Sequence, residues 1–251
     1  MLKIRVMPVL LHADVGLVKG IAFDSWRRVG SAIPAVKVYN MRAVDELVLM
    51  DIGATRDGRP VDVGLVEDLA GECFVPLTVG GGIRSVNDVR DLLAAGADKV
   101  SVNSAAVADP TLITRIADRF GTQCLVVSID ARTTSGGHEA YTHAGAKSAG
   151  LSPVELAIAA EMRGAGEILI TSIDRDGTMD GYDISLVKSV AEAVQIPVIA
   201  SGGAGTYGHM AMVLREAGAS AVAAASMFHF TEQTPRGAKS YLASQGFPVR
   251  V

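Results

Sequence analysis

Eight short, nearly unbroken apolar runs recur along the chain, at 5–11, 46–52, 74–80, 99–103, 124–130, 167–173, 197–201 and 219–226. A run of that length without polar alternation is how a strand reads when both its faces are covered, as in a parallel sheet. Amphipathic stretches with helical spacing separate the runs, at 33–42, 62–70, 86–95, 110–120, 153–163, 184–193, 209–217 and 236–244. Parallel strands need such crossovers, because a tight hairpin cannot join them. The punctuation agrees. Ser85, Asp109 and Ser152 stand as helix caps, Pro110 and Pro153 as first-turn prolines, and Gly96, Gly121, Gly164 and Gly218 as stops. Eight strand–helix units in 251 residues predict an α/β fold, a TIM (β/α)8 barrel, with residues 1–251 forming one domain. An open doubly wound sheet is the alternative, but its dinucleotide fingerprint is missing after the first strand.

The two halves of the chain resemble each other. Leu77-Thr78-Val79-Gly80-Gly81-Gly82 pairs with Ile199-Ala200-Ser201-Gly202-Gly203, and the segment 97–105 pairs with 219–227. The offset is nearly constant, the signature of an internal repeat. Two similar half-barrels account for it. Each glycine turn joins an apolar strand to a helix pattern, where backbone approaches a ligand closely and free N–H groups attract an anion. Two such turns predict two phosphate cradles and a ligand phosphorylated at both ends. The candidate phosphate-binding residues are Gly81, Gly82, Asn103, Ser104, Thr171, Ser172, Gly177, Gly202, Gly203, Ala225 and Ser226.

Composition removes several classes of function. The formal net charge is −4 and aromatics make up 5% of the chain, so neither a basic surface nor a stacking platform argues for nucleic acid. Cys73 and Cys124 make no metal spacing and no disulfide framework. No metal and no cofactor is expected. The chain's start lacks the layout of a signal peptide, and no apolar run approaches the roughly 20 residues that span a membrane. A cytoplasmic setting is the expectation.

Strand ends on the face where barrels do chemistry supply Asp51, Asn103, Asp130, Thr171, Ser172, Asp174 and Asp176. A carboxylate that ends an apolar strand is partly desolvated, which lifts its pKa towards general acid–base range. Asp130, after Val126-Val127-Ser128-Ile129, is the first candidate. Long loops follow the first and fifth strands, at 15–31 and 131–150, and loops of that length tend to be lids or binding elements. The alternation around Tyr141 suggests a small hairpin in the second. At the opposite ends of the strands, Arg5, Glu46, Lys99 and Glu167 can form a ring of ion pairs. Such a ring stabilises the barrel's bottom, or gates passage of a small molecule along its axis.

These segments, with Gly166 to Thr178, resemble the cyclase subunit of imidazole glycerol phosphate synthase over essentially the whole chain. The resemblance implies a glutaminase docked on the N-terminal face and ammonia passing through the ring and the barrel. It matches Arg5, Glu46, Lys99 and Glu167 to the gate, Asp98 and Gln123 to positions near the glutaminase contact, and Asp130 to one of two catalytic aspartates. Lys19, Asp51 and Asp176 count among its other active-site positions. The second aspartate is absent. Val9-Leu10-Leu11 stands where the family has Cys-Leu-Asp, in register between Pro8 and Val18-Lys19-Gly20. Leu11 cannot move a proton, and His12 and Asp14 are poor substitutes because neighbouring strand residues face opposite ways. The departure resembles the cyclase-like proteins of lipopolysaccharide and other surface-glycan gene sets. Those are thought to supply ammonia for sugar amidation. The expected function is therefore that of an ammonia-handling amidotransferase subunit, with the histidine-pathway cyclase as the alternative.

Overall fold

The computed structural model describes residues 3–250. In chain order its elements are β1 (Arg5–Ala13), β2 (Gly16–Ile21), β3 (Asp24–Gly30), α1 (Ala32–Met41), β4 (Leu47–Asp51), α2 (Val63–Ala70), β5 (Leu77–Gly80) and α3 (Val86–Ala94). They continue with β6 (Lys99–Val102), α4 (Ser104–Ala108), α5 (Thr111–Phe120), β7 (Leu125–Thr134), β8 (Gly137–Thr142), β9 (Lys147–Ser148), α6 (Pro153–Met162) and β10 (Glu167–Ser172). The last are α7 (Ile184–Ala193), β11 (Val198–Ser201), α8 (Tyr207–Glu216), β12 (Ala221–Ala224), α9 (Ser226–Phe230) and α10 (Pro235–Ser244).

Eight of the strands run parallel in the order β10-β11-β12-β1-β4-β5-β6-β7, and β7 pairs with β10 to close the circle. This is the TIM barrel, an α/β fold. Closure splits the apolar residues into two bodies. Met7, Val9, Val48, Val126, Leu169, Ile199, Ala221 and Ala223 fill the barrel's inside, with Leu11, Met50 and Ala225 above them. A larger cluster lies between strands and helices. Odd and even positions of β1 divide between the two, as the two-residue period of a strand requires. Among the described residues no helix is long and apolar enough to cross a membrane.

Helix starts follow the sequence signals. Ser85 and Ser152 each form a reciprocal capping box, with Asp88 and Glu155 respectively. Asp109 accepts from the amide of Thr111, so α5 starts one residue later than its proline suggested.

Several elements depart from the sequence reading; the run at 74–80 shortens to β5 and leaves Phe74 outside it. The first long loop is a two-stranded hairpin, β2–β3, which folds across the barrel mouth. Its second strand has no buried residue, so no apolar period betrayed it. The run at 219–226 breaks after Ala224, and Ser226 opens α9. The run at 46–52 shortens to β4, which leaves Glu46 outside its strand. The hairpin around Tyr141 is present. There β7 continues past the barrel rim and pairs antiparallel with β8, Asp130 opposite Tyr141.

Candidate active site

A cavity of about 550 Å³ opens at the C-terminal ends of the barrel strands. Its wall includes Gly81, Gly82, Asn103, Ser104, Asp130, Thr171, Gly177, Gly202, Gly203, Ala225 and Ser226, with Leu11, Lys19, Asp51 and Asp176. Ser172 is not in that wall. It is 2% exposed, because the strand period that turns Thr171 inward turns its neighbour towards the helices. Its expected role in phosphate binding is therefore not supported by where its side chain lies.

The sequence repeat is visible as repeated geometry. Gly81 and Gly202 have φ of +99° and +87°, and Gly82 and Gly203 have +64° and +103°. Asn103 and Ala225 sit at the N-caps of α4 and α9 with nearly equal dihedrals, φ −128° and ψ −83° against φ −123° and ψ −69°. Both short helices have five residues and follow a strand end directly. A helical period cannot be read from one and a half turns, so the sequence hid them. The Ser226 hydroxyl is buried and has no hydrogen-bond partner among the described residues, nor has that of Ser101 on β6. Both border the cavity, where a ligand oxygen can complete them.

Four carboxylates line the cavity; Asp109 is held at its edge by Thr111 and Arg115, and the other three differ. Asp51 is spent. Its Oδ2 accepts from Arg59 at 2.6 Å, and its Oδ1 accepts from Arg59, Gly53 and Ala54. It anchors the loop after β4. Asp176 accepts from the Lys19 ammonium at 2.5 Å, and Lys19 is 1% exposed. Asp130 accepts a single bond, 2.8 Å from the Asn103 amide, which is itself fixed by the Tyr141 carbonyl. Burial pushes the Asp130 carboxyl up to about 7; the Asn103 bond opposes this and the charge of Asp176 adds to it. A carboxyl with that value accepts or donates a proton near neutral pH.

The raised value has a consequence for stability. The unfolded carboxyl ionises near its ordinary 3.8, so between about pH 4 and 7 the folded state holds more protons than the unfolded one. Stability then falls as pH rises through that window. Asp130→Asn is expected to remove this dependence and to gain on the order of 1–2 kcal/mol at pH 8, with no gain at pH 4. Denaturant melts at the two pH values check it.

Leu11 points into the cavity and packs on the inner apolar cluster. Neither neighbour replaces the missing acid. The Asp14 side chain is 81% exposed and pairs with Arg59 at 3.1 Å, and His12 is absent from the cavity wall. The β2–β3 hairpin contributes Phe23 and Trp26 to the wall, residues that only the length of the first loop hinted at. The hairpin is fastened by Lys19–Asp176, by the Ala22 amide donating to the Asp176 carbonyl at 2.8 Å, and by Arg27 stacked 4.1 Å over the Phe230 ring. Asp174 caps the far loop by accepting from the Thr133 amide at 2.8 Å. His229 lies edge-on to Tyr39, outside the cavity wall.

At the other mouth the four charged residues form a closed quadrilateral. Arg5 reaches Glu46 at 2.8 Å and Glu167 at 3.0 Å, and Lys99 reaches the same two at 3.0 and 3.1 Å. Thr78 donates to the second oxygen of Glu46 at 2.7 Å. Burial alone would lower the Arg5 pKa; Glu167 and Glu46 outweigh it and the net shift is upward. Asp98 and Gln123 lie outside this ring. Asp98 accepts from the Leu77 amide at 2.8 Å, and the exposed Gln123 donates to the Phe120 carbonyl at 3.1 Å.

The profile of a family described as "Histidine biosynthesis protein" matches residues 5–234. That span takes in all eight barrel strands, both glycine turns, the ring and Asp130. The closed parallel barrel and its cavity are of the cyclase and isomerase type found in that pathway. The chain therefore belongs to the histidine biosynthesis protein family.

Proposed function

We propose that this barrel is the ammonia-handling subunit of a glutamine amidotransferase. Ammonia released by a partner glutaminase on the N-terminal face passes the ring and the barrel axis to the cavity. The nitrogen is destined for a sugar precursor of lipopolysaccharide or a related surface glycan. The observation that carries the reading is the combination of a complete ring with Leu11 in the cavity. A chain kept for cyclisation alone would need both proton-transfer groups, and general acid–base help is worth roughly 10²–10⁴-fold in rate. Exposed apolar side chains also favour a partner on the ring side. Phe74 is 81% exposed, Met41 69% and Met162 80%, and all three lie where helices end and strands begin. A partner covering that face would take them out of water.

A second reading, the histidine-pathway cyclase, is favoured by the doubled cradles and by Asp130. It would convert the open-ring, bis-phosphorylated aminoimidazole precursor and ammonia to imidazole glycerol phosphate and the carboxamide ribotide. Assay of that substrate with ammonium salt separates the two: turnover within about tenfold of an ordinary enzyme, a barrier difference of about 1.4 kcal/mol, overturns the first reading. The amidotransferase reading makes its own prediction. Adding the barrel to its glutaminase is expected to raise glutamine hydrolysis at least about tenfold. An unchanged rate in a glutaminase assay removes every ammonia-delivery role.

A further inference from the structure

One corner of the ring is built differently from the others. Lys99 lies within β6, paired with Thr78, and Glu167 lies within β10, paired with Val126. Arg5 is paired with Ala221 on β12. On the β1–β4 side, however, the ladder begins only at Val9 and Val48. Arg5 and Glu46 meet at 2.8 Å below the last regular pairing. The backbone there offers a single long bond, from the Asp45 amide to the Val6 carbonyl at 3.4 Å.

A side chain closes this gap. Asp45 precedes Glu46 and faces the helices where Glu46 faces the axis. Its Oδ2 accepts from the Val6 amide at 2.9 Å, so a carboxylate takes the place of the missing ladder bond. Its Oδ1 accepts from Lys239 of α10 at 3.1 Å. Both residues are nearly sealed from solvent, at 6% and 5% exposure. A buried carboxylate is costly without a counter-charge, so Lys239 is what allows Asp45 to sit there. Arg236, one turn earlier, donates to the Met41 carbonyl at 2.9 Å and ties the same connecting segment to the same helix.

We infer that the Asp45–Lys239 pair is the positioning device that holds the ring shut at its β1–β4 corner. The geometry stands by itself; only its consequence, a mouth closed to solvent until ammonia arrives, rests on the function proposed above. Asp45 and Lys239 touch no ligand. They act through Arg5 and Glu46.

The test reads the ring directly. Whole protein is pulsed with acetic anhydride under native conditions, and acetylation of Lys99 is followed by mass spectrometry against the exposed Lys188. The double variant Asp45→Ala/Lys239→Met strands no buried charge yet lacks the bond to Val6. Its Lys99 is expected to label about tenfold faster, the change that about 1.4 kcal/mol of lost closure gives. Leu242→Ala, a fully buried apolar truncation on the same helix, controls for lowered stability and is expected to leave Lys99 slow. Lys239→Arg keeps the charge and is expected to label as the native chain does. If the double variant labels no faster than the native chain, or if Lys99 labelling simply follows melting temperature across the set, the positioning role is overturned. No glutamine or ammonia enters the experiment, so its failure is distinct from failure of the amidotransferase reading.

Discussion

Leu11→Asp is expected to raise ammonium-dependent turnover of the bis-phosphorylated aminoimidazole precursor by roughly 10²–10⁴-fold. Leu11 already projects into the cavity that holds Asp130, so the introduced carboxylate would share one ligand with it. Its surroundings are Val9, Met50 and Leu169 of the inner wall. That apolar setting lifts a carboxyl's pKa, and two such groups on one cavity divide into a proton donor and an acceptor. The rate should then acquire a bell-shaped pH profile, where Asp130 alone gives one limb. The exchange also buries a polar group, with an expected stability loss of about 1–3 kcal/mol. Steady-state kinetics across pH 5–9 with thermal melts are the measurement. A folded variant with no gain in turnover would mean that the cavity has diverged beyond its first strand.

Gly81→Ala and Gly203→Ala are expected to carry the largest stability losses of any single-methyl change in the site, about 3–5 kcal/mol each. Their φ values, +99° and +103°, disfavour any side chain. A Cβ would also stand 2.1 Å from the Asp51 carbonyl oxygen at one site and 2.1 Å from the Gly181 carbonyl oxygen at the other. Backbone cannot yield as a flexible side chain does, so the turn must move. Each turn is then distorted independently, so with one proposed phosphate site at each turn, either variant should lose about half of the phosphate binding while the other half persists. Urea melts combined with phosphate titration followed by 31P NMR test both statements. Melts equal to the native protein's would show that the turns relax freely.

The barrel was legible because its cause is local. Apolar runs without alternation, separated by capped amphipathic stretches, admit few arrangements, and the repeated glycine turns marked two stretches that the structure places on one cavity. What the sequence missed lacks a periodic signal. The β2–β3 hairpin exposes polar residues on both faces of its second strand and is held by contacts to Asp176 and Phe230. The short helices α4 and α9 fall below the length at which a period shows. Ser172 followed its strand to the wrong face because the alternation phase of β10 depends on its neighbours in the barrel.

By itself the sequence determined the strand and helix order, the duplication, the two glycine turns and the presence of leucine at position 11. Tertiary structure alone decided which charges meet. Arg5 and Glu167 stand 162 positions apart and touch only because β7 and β10 pair and bring the strand starts into one ring. The same closure aims Leu11 into the cavity and leaves Asp130 with one hydrogen bond and a raised pKa. Side-chain periodicity is written in a few consecutive residues. Pairings across a closed barrel depend on register and curvature, which no local stretch of chain contains.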